Sequence, residues 1–95
     1  MIQYKAGYKY VEGGVHAQVI DFPAAITCGD DIDAARRLLA AALLDAAEAC
    51  IEFGDALPTP NAKASNPEMD IEEPIYLHLK ASTAVDETPA GNVAS

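Results

Sequence analysis

Ninety-five residues with a formal net charge of −9 make one small domain, and 51% of them are apolar. Six Lys and Arg against fifteen Asp and Glu leave no basic cluster for phosphates, so the chain is not expected to touch nucleic acid directly. No apolar run approaches the roughly 20 residues that cross a bilayer, so no membrane partner is expected.

From Met1 to Val11 polar and apolar residues alternate. Ile2, Tyr4, Ala6, Tyr8 and Tyr10 share one side, and Gln3, Lys5, Gly7 and Lys9 the other, which reads as a half-buried antiparallel strand. MIQYKAGYKY therefore does not read as a signal peptide. Glu12-Gly13-Gly14 marks a hairpin turn, and Val15 to Phe22 returns with Val15, Ala17 and Val19 on one face and His16, Gln18, Ile20 and Phe22 on the other. Pro23 stops this strand because it cannot donate to a ladder. A short third strand is expected at about Ala25 to Cys28.

The stretch Asp31 to Gly54 predicts the only long helix. Asp31 suits the N-cap, with Asp30 just outside and Asp33 in the first turn, all favoured there by the helix dipole. Ile32, Ala35, Leu39, Ala42, Leu43, Ala46, Cys50 and Phe53 line one face at helical spacing. Ala40, Leu44, Ala47 and Ile51 form a second apolar stripe, about 110° away. The polar sector is narrow: Arg37, Asp45, Glu48 and Glu52. Exposing Leu44 and Ile51 would forgo roughly 1.5–3 kcal/mol of burial each, so either the later part of the chain or a second subunit is expected on that stripe. Ala40, Leu44, Ala47 and Ile51 are thus the candidate interface of a homo-oligomer, dimer or tetramer.

Gly54 is placed to stop the helix as its C′ residue. Leu57-Pro58-Thr59-Pro60 forces an extended exit, Asn61 to Asp70 is loop by composition, and the last strand is expected over Ile75 to Lys80. There Ile75, Leu77 and Leu79 would face in, and Tyr76, His78 and Lys80 out. Residues 81–95 lack periodicity and read as a mobile tail, leaving 1–80 as the domain. The fold class is α+β, in the order β-β-β-α-β, with an antiparallel sheet covered on one face by the helix and Lys5, Lys9 and Gln18 on the other.

Little here suggests catalysis. His16 and His78 lie on strands without a neighbouring nucleophile, and no phosphate loop or metal spacing is present, so no cofactor is expected. Cys28 and Cys50, 22 positions apart, match no redox motif; reduced, buried thiols in a cytoplasmic protein are expected. The order β-β-β-α also opens the ribonuclease H-like fold, whose enzymes gather acids around metal ions. Asp21 and Glu48 alone supply such a site poorly, since the first strand has no acid.

Several strings resemble the HicB family of antitoxins. They are the Tyr-rich first strand with its Gly turn (YKYVEGG), Phe22-Pro23, Gly29-Asp30-Asp31-Ile32-Asp33-Ala34-Ala35 opening the helix, and Leu57-Pro58-Thr59-Pro60 leaving it. The resemblance covers Tyr4 to Lys80. It departs after Phe22-Pro23, where Ala24-Ala25-Ile26-Thr27 replaces the family's longer Asp-Leu-Pro-Gly-Cys segment. It implies a degenerate ribonuclease H-like domain in a minimal form, without the C-terminal DNA-binding domain many members carry. The implied function is non-catalytic: binding and covering a small basic HicA-like toxin that cleaves messenger RNA. The acids that would meet such a toxin are the helix sector Asp45, Glu48, Glu52 and Asp55, or the corner Asp21, Asp30 and Asp31. The alternative is a self-associating regulatory or structural module with no toxin.

Overall fold

The computed structural model describes residues 1–79. The expected tail 81–95 and the outward Lys80 lie outside the described residues. Four strands and one helix follow the expected order: β1 Ile2–Val11, β2 Gly14–Val19, β3 Ile26–Gly29, α1 Ile32–Glu52 and β4 Ile71–Leu77. The sheet order is β3-β2-β1-β4 and every pairing is antiparallel. The α+β architecture is as expected, and β4 takes its place beside β1.

The helix covers one face of this sheet, packing on β3, β2 and β4. Alternation explains the core: Tyr4, Ala6 and Tyr8 from β1, Val15, Ala17 and Val19 from β2, and Ile75 and Leu77 from β4 are buried. They meet Ala35, Leu39, Leu43 and Ala47, a row spaced four residues apart along α1. Tyr4 and Phe22 pack edge to face with ring centroids 5.4 Å apart.

The helix ends are set by local chemistry. Asp31 accepts a hydrogen bond from Ala34 N–H at 2.8 Å, as an N-cap does. At the other end Gly54 adopts φ +75°, Gly54 N–H donates to Ile51 O at 3.1 Å, and Asp55 N–H donates to Cys50 O at 2.8 Å. These two bonds make a Schellman stop, which needs a left-handed residue at C′.

The last strand starts four residues earlier than expected and ends three earlier, at Leu77. Pro74 sits inside the strand. Lys5 N–H donates to Asp21 Oδ1 and Lys5 O accepts from Ile20 N–H, so both backbone groups of Lys5 turn toward β2. Its register partner Pro74 therefore has no ladder bond to make with β1, and its nitrogen faces the open edge. A proline there breaks the row of donors that an edge strand would otherwise present.

The second face of the sheet is not bare. Residues 61–70 fold over it, and Met69 lies against Gly7, where an added Cβ would sit 2.7 Å from Met69 Cγ. Lys5 is half-buried and its Nζ donates to Ala64 O at 3.1 Å. The expectation of Lys5 on an open polar face is thus corrected: a loop polar in composition still supplies one apolar side chain, Met69, and one carbonyl, Ala64 O, at the right places. Cys28 also departs from expectation. It is exposed, because β3 is an edge strand and alternation points this thiol away from the helix. Cys50 is half-buried and both thiols are free.

Candidate functional site

The two halves of α1 have different surroundings. In the first half Arg36 makes a forked pair with Glu73 on β4, Nε to Oε2 at 3.0 Å and Nη2 to Oε1 at 2.9 Å. Its guanidinium carbon lies 5.9 Å from the centroid of the Tyr8 ring. The hydrogen bond to Glu73 raises the Arg36 pKa further. Burial, then the nearby Glu73 charge, pushes Tyr8 up to about 12, and burial and the Asp21 charge raise Tyr4 as well. These groups are tied into the fold.

The second half makes no such ties. Leu44 is 37% and Ile51 43% exposed, so among the described residues each is covered only in part. Ala40 and Leu44 border an open groove of about 200 Å³ with Tyr76, Leu77 and His78 of the β4 end. Ala40 is exposed, but Ala47 is wholly buried between helix and sheet, which removes it from the expected stripe. Its helical angle lies at the border between the stripe and the row that faces the sheet, and a wheel cannot tell which way the sheet lies. Phe53, expected on the core face, is 76% exposed, since the helix has already been capped there.

Beside this apolar stripe run the acids. At 100° per residue Ala40, Leu44 and Ile51 fall within about 40° of one another, and Glu48, Glu52 and Asp45 occupy the next sector, about 80° to 140° from Ala40. Asp45 and Glu52 are exposed and Glu48 half-buried, with Asp55 exposed just past the cap. No Lys or Arg occurs from Leu38 to Ala62. The structure thus brings Asp45, Glu48, Glu52 and Asp55 to one end of the helix, next to Leu44 and Ile51.

The other expected acidic corner does not exist. Gly29 pairs with Val15 at the start of β2, so Asp30 and Asp31 sit at one end of that strand while Asp21 follows its other end. Asp21 is also committed to the fold. Its Oδ1 accepts from Lys5 N–H at 2.8 Å and its Oδ2 from Asn61 N–H at 2.9 Å. Asp31 is the helix cap, and of the three Asp30 alone is exposed without a side-chain bond among the described residues.

Sequence reasoning missed the residues that hold the 61–70 loop. Glu72 Oε2 accepts from Asn66 N–H at 3.0 Å and from Ser65 Oγ–H at 2.9 Å, and these bonds, the backbone one first, lower its pKa. Asp70 N–H donates to Tyr8 O, and its carboxylate accepts from Tyr10 N–H, both at 2.8 Å. The ends of these bonds lie far apart in sequence, except for the Glu72 set. Among the described residues no group of three or more His, Cys, Asp and Glu is placed to hold a metal ion.

Neither a protein-family model nor a curated protein matches the sequence. Solved structures do match. The crystal structure of the N-terminal domain of the Burkholderia pseudomallei antitoxin HicB superposes with a TM-score of 0.65 at 22% identity, covering 82% of this chain and 100% of that one. The fold is that of the HicB N-terminal domain. The crystal structure of the B. pseudomallei antitoxin HicB itself superposes with a TM-score of 0.66 at 19% identity, covering 100% of this chain and 76% of that one. The HicB resemblance read from YKYVEGG, Phe22-Pro23 and the Gly29-Asp30-Asp31 helix opening therefore holds at the level of fold. Among the described residues no helix is long and apolar enough to cross a membrane.

Proposed function

We propose that this chain is an antitoxin: a non-catalytic cytoplasmic protein that binds and covers a small, basic, HicA-like RNA-cleaving toxin, without touching nucleic acid itself. The observation that carries the reading is the superposition on an antitoxin domain along that domain's whole length. Charge agrees with it. A net charge of −9, with an acidic helix sector that has no ion pair among the described residues, favours fast, oriented encounter with a basic protein and disfavours phosphate. The toxin contact is assigned to Asp45, Glu48, Glu52 and Asp55, because Asp21 and Asp31 have structural bonds to keep. Asp30 lies at the other helix end and forms at most a separate contact.

The test is to purify the chain with the small basic protein encoded beside it. Co-elution on size exclusion at low salt and suppression of that protein's RNA cleavage are expected. Separate elution with cleavage unaffected overturns the reading.

A second reading, a self-associating module forming dimers or tetramers, is favoured by the exposure of Leu44 and Ile51. Sedimentation at micromolar concentration separates it from the first: a monomer excludes it.

A further inference from the structure

The exposed apolar stripe and the acidic sector were expected to serve different partners. The structure places them side by side on one half of one helix. We infer that the Ala40-Leu44-Ile51 stripe and the adjoining Asp45-Glu48-Glu52 row form a single docking surface for an amphipathic element of a basic partner, one whose apolar row is bordered by Lys or Arg. The proposal rests on the binding-protein reading above and narrows it to one face and one kind of ligand.

Three observations support that occupant. First, among the described residues the stripe keeps open surface, because Leu44 and Ile51 are 37% and 43% exposed and seven residues apart, so they stand about 10 Å apart on one line. Second, the carboxylates sit where a helix does not want them. The last turn of α1 has no basic residue, and Glu48 and Glu52 stand one turn apart as like charges near the negative end of the dipole. Arg36 and Arg37 sit toward the opposite end. An arrangement that costs stability and fills no side-chain bond among the described residues is suited to a cation from outside. Third, the surface is a poor match for its own copy. Two such helices packed antiparallel about a two-fold axis set each acidic row against the other, and like charges facing across an interface are strongly disfavoured. The β4 edge does not rescue such a dimer, because Pro74 interrupts its outward donors.

The test uses the full chain, isotopically labelled, and two synthetic peptides of one Leu/Lys/Ala composition. In one peptide the Leu row borders the Lys row at helical spacing; in the other the order is scrambled. The patterned peptide is expected to shift amide signals within residues 40–55 and to bind about tenfold tighter than the scrambled one. Ile51→Asp and the pair Glu48→Gln/Glu52→Gln should each remove that advantage. Both sites are on the surface, and a melting curve checks that each variant folds. Equal binding of the two peptides, or shifts centred elsewhere, overturns the proposal. So does a dimer that Ile51→Asp dissociates, since a second copy would then be the occupant. A toxin complex indifferent to both variants would leave the antitoxin reading standing and sink this one. Patterned-peptide docking in a chain that binds no toxin would do the reverse.

Discussion

The first and second halves of α1 are built from similar residues and do different things. Between Ile32 and Leu43 the helix is capped by Asp31, pinned to β4 by Arg36 and Glu73, and seated on the sheet by Ala35, Leu39 and Leu43. Beyond Leu43 only Ala47 is fully buried, and the flank carries Leu44, Ile51 and four carboxylates with no cation among them. The first half carries three of the helix's four fully buried side chains, Ala35, Leu39 and Leu43. The second half is closed by Gly54 and still sets Ala46, Ala47 and Cys50 against the core, while Leu44, Ile51, Asp45 and Glu52 stay exposed.

The sharpest break in this comparison lies between neighbours. Leu43→Ala should destabilise the domain by about 2–5 kcal/mol, as an emptied core site does, while Leu44→Ala should change stability by less than about 1 kcal/mol. Denaturant unfolding of both variants measures the contrast, and equal losses would mean that the flank is part of the core. Tyr8, under the first half, offers a second handle. Its pKa of about 12 exceeds the ordinary value of 10, so the folded state keeps a proton that the unfolded chain loses. Stability from this group is intact below pH 10 and should fall by about 2–3 kcal/mol as the pH rises toward 12. A flat profile from pH 10 to 12 would remove Tyr8 from the anchored half.

Two smaller effects sharpen the picture. Asp21→Asn keeps one acceptor oxygen where two backbone donors need accepting, so about 1–2 kcal/mol should be lost. Hydrogen exchange should quicken at Lys5 and Asn61 before it does in the helix. Glu52→Lys should do the opposite of most substitutions and stabilise the domain by about 0.3–1 kcal/mol, because it puts a cation at the negative end of the helix. If the same variant weakens partner binding, stability and function are being traded at that position.

What could be read from the residues alone was whatever is decided locally. The Asp31 cap, the Gly54 stop, the Gly13-Gly14 turn and the alternation of Tyr4, Ala6 and Tyr8 each depend on a few neighbours. Taken in chain order, these local signals already implied the β-β-β-α-β fold, and the HicB-like strings agreed with it. Apart from Phe53, which the local helix cap exposes, the errors were mostly long-range. Asp21 looked like a free acid because its partners are 16 and 40 residues away. The last strand reads as beginning at Ile75 because nothing local says that Ile71 to Pro74 already pair with β1 along an edge. The 61–70 loop looked empty because Met69 acts only by reaching Gly7. Ala47 was put on the outer stripe because helical periodicity fixes relative angles but not where the sheet stands.

The sheet order has a consequence for how the protein is made. Among these strands β1 emerges first from the ribosome, yet it lies between β2 and β4, and β4 emerges last. While the helix and the 61–70 segment are being synthesised, one edge of β1 is unsatisfied, with Tyr4 and Tyr8 incompletely covered beside it. The nascent chain is therefore most exposed to mispairing just before its final strand arrives, and whatever binds the helix flank meets a domain still open on the β1 side until then.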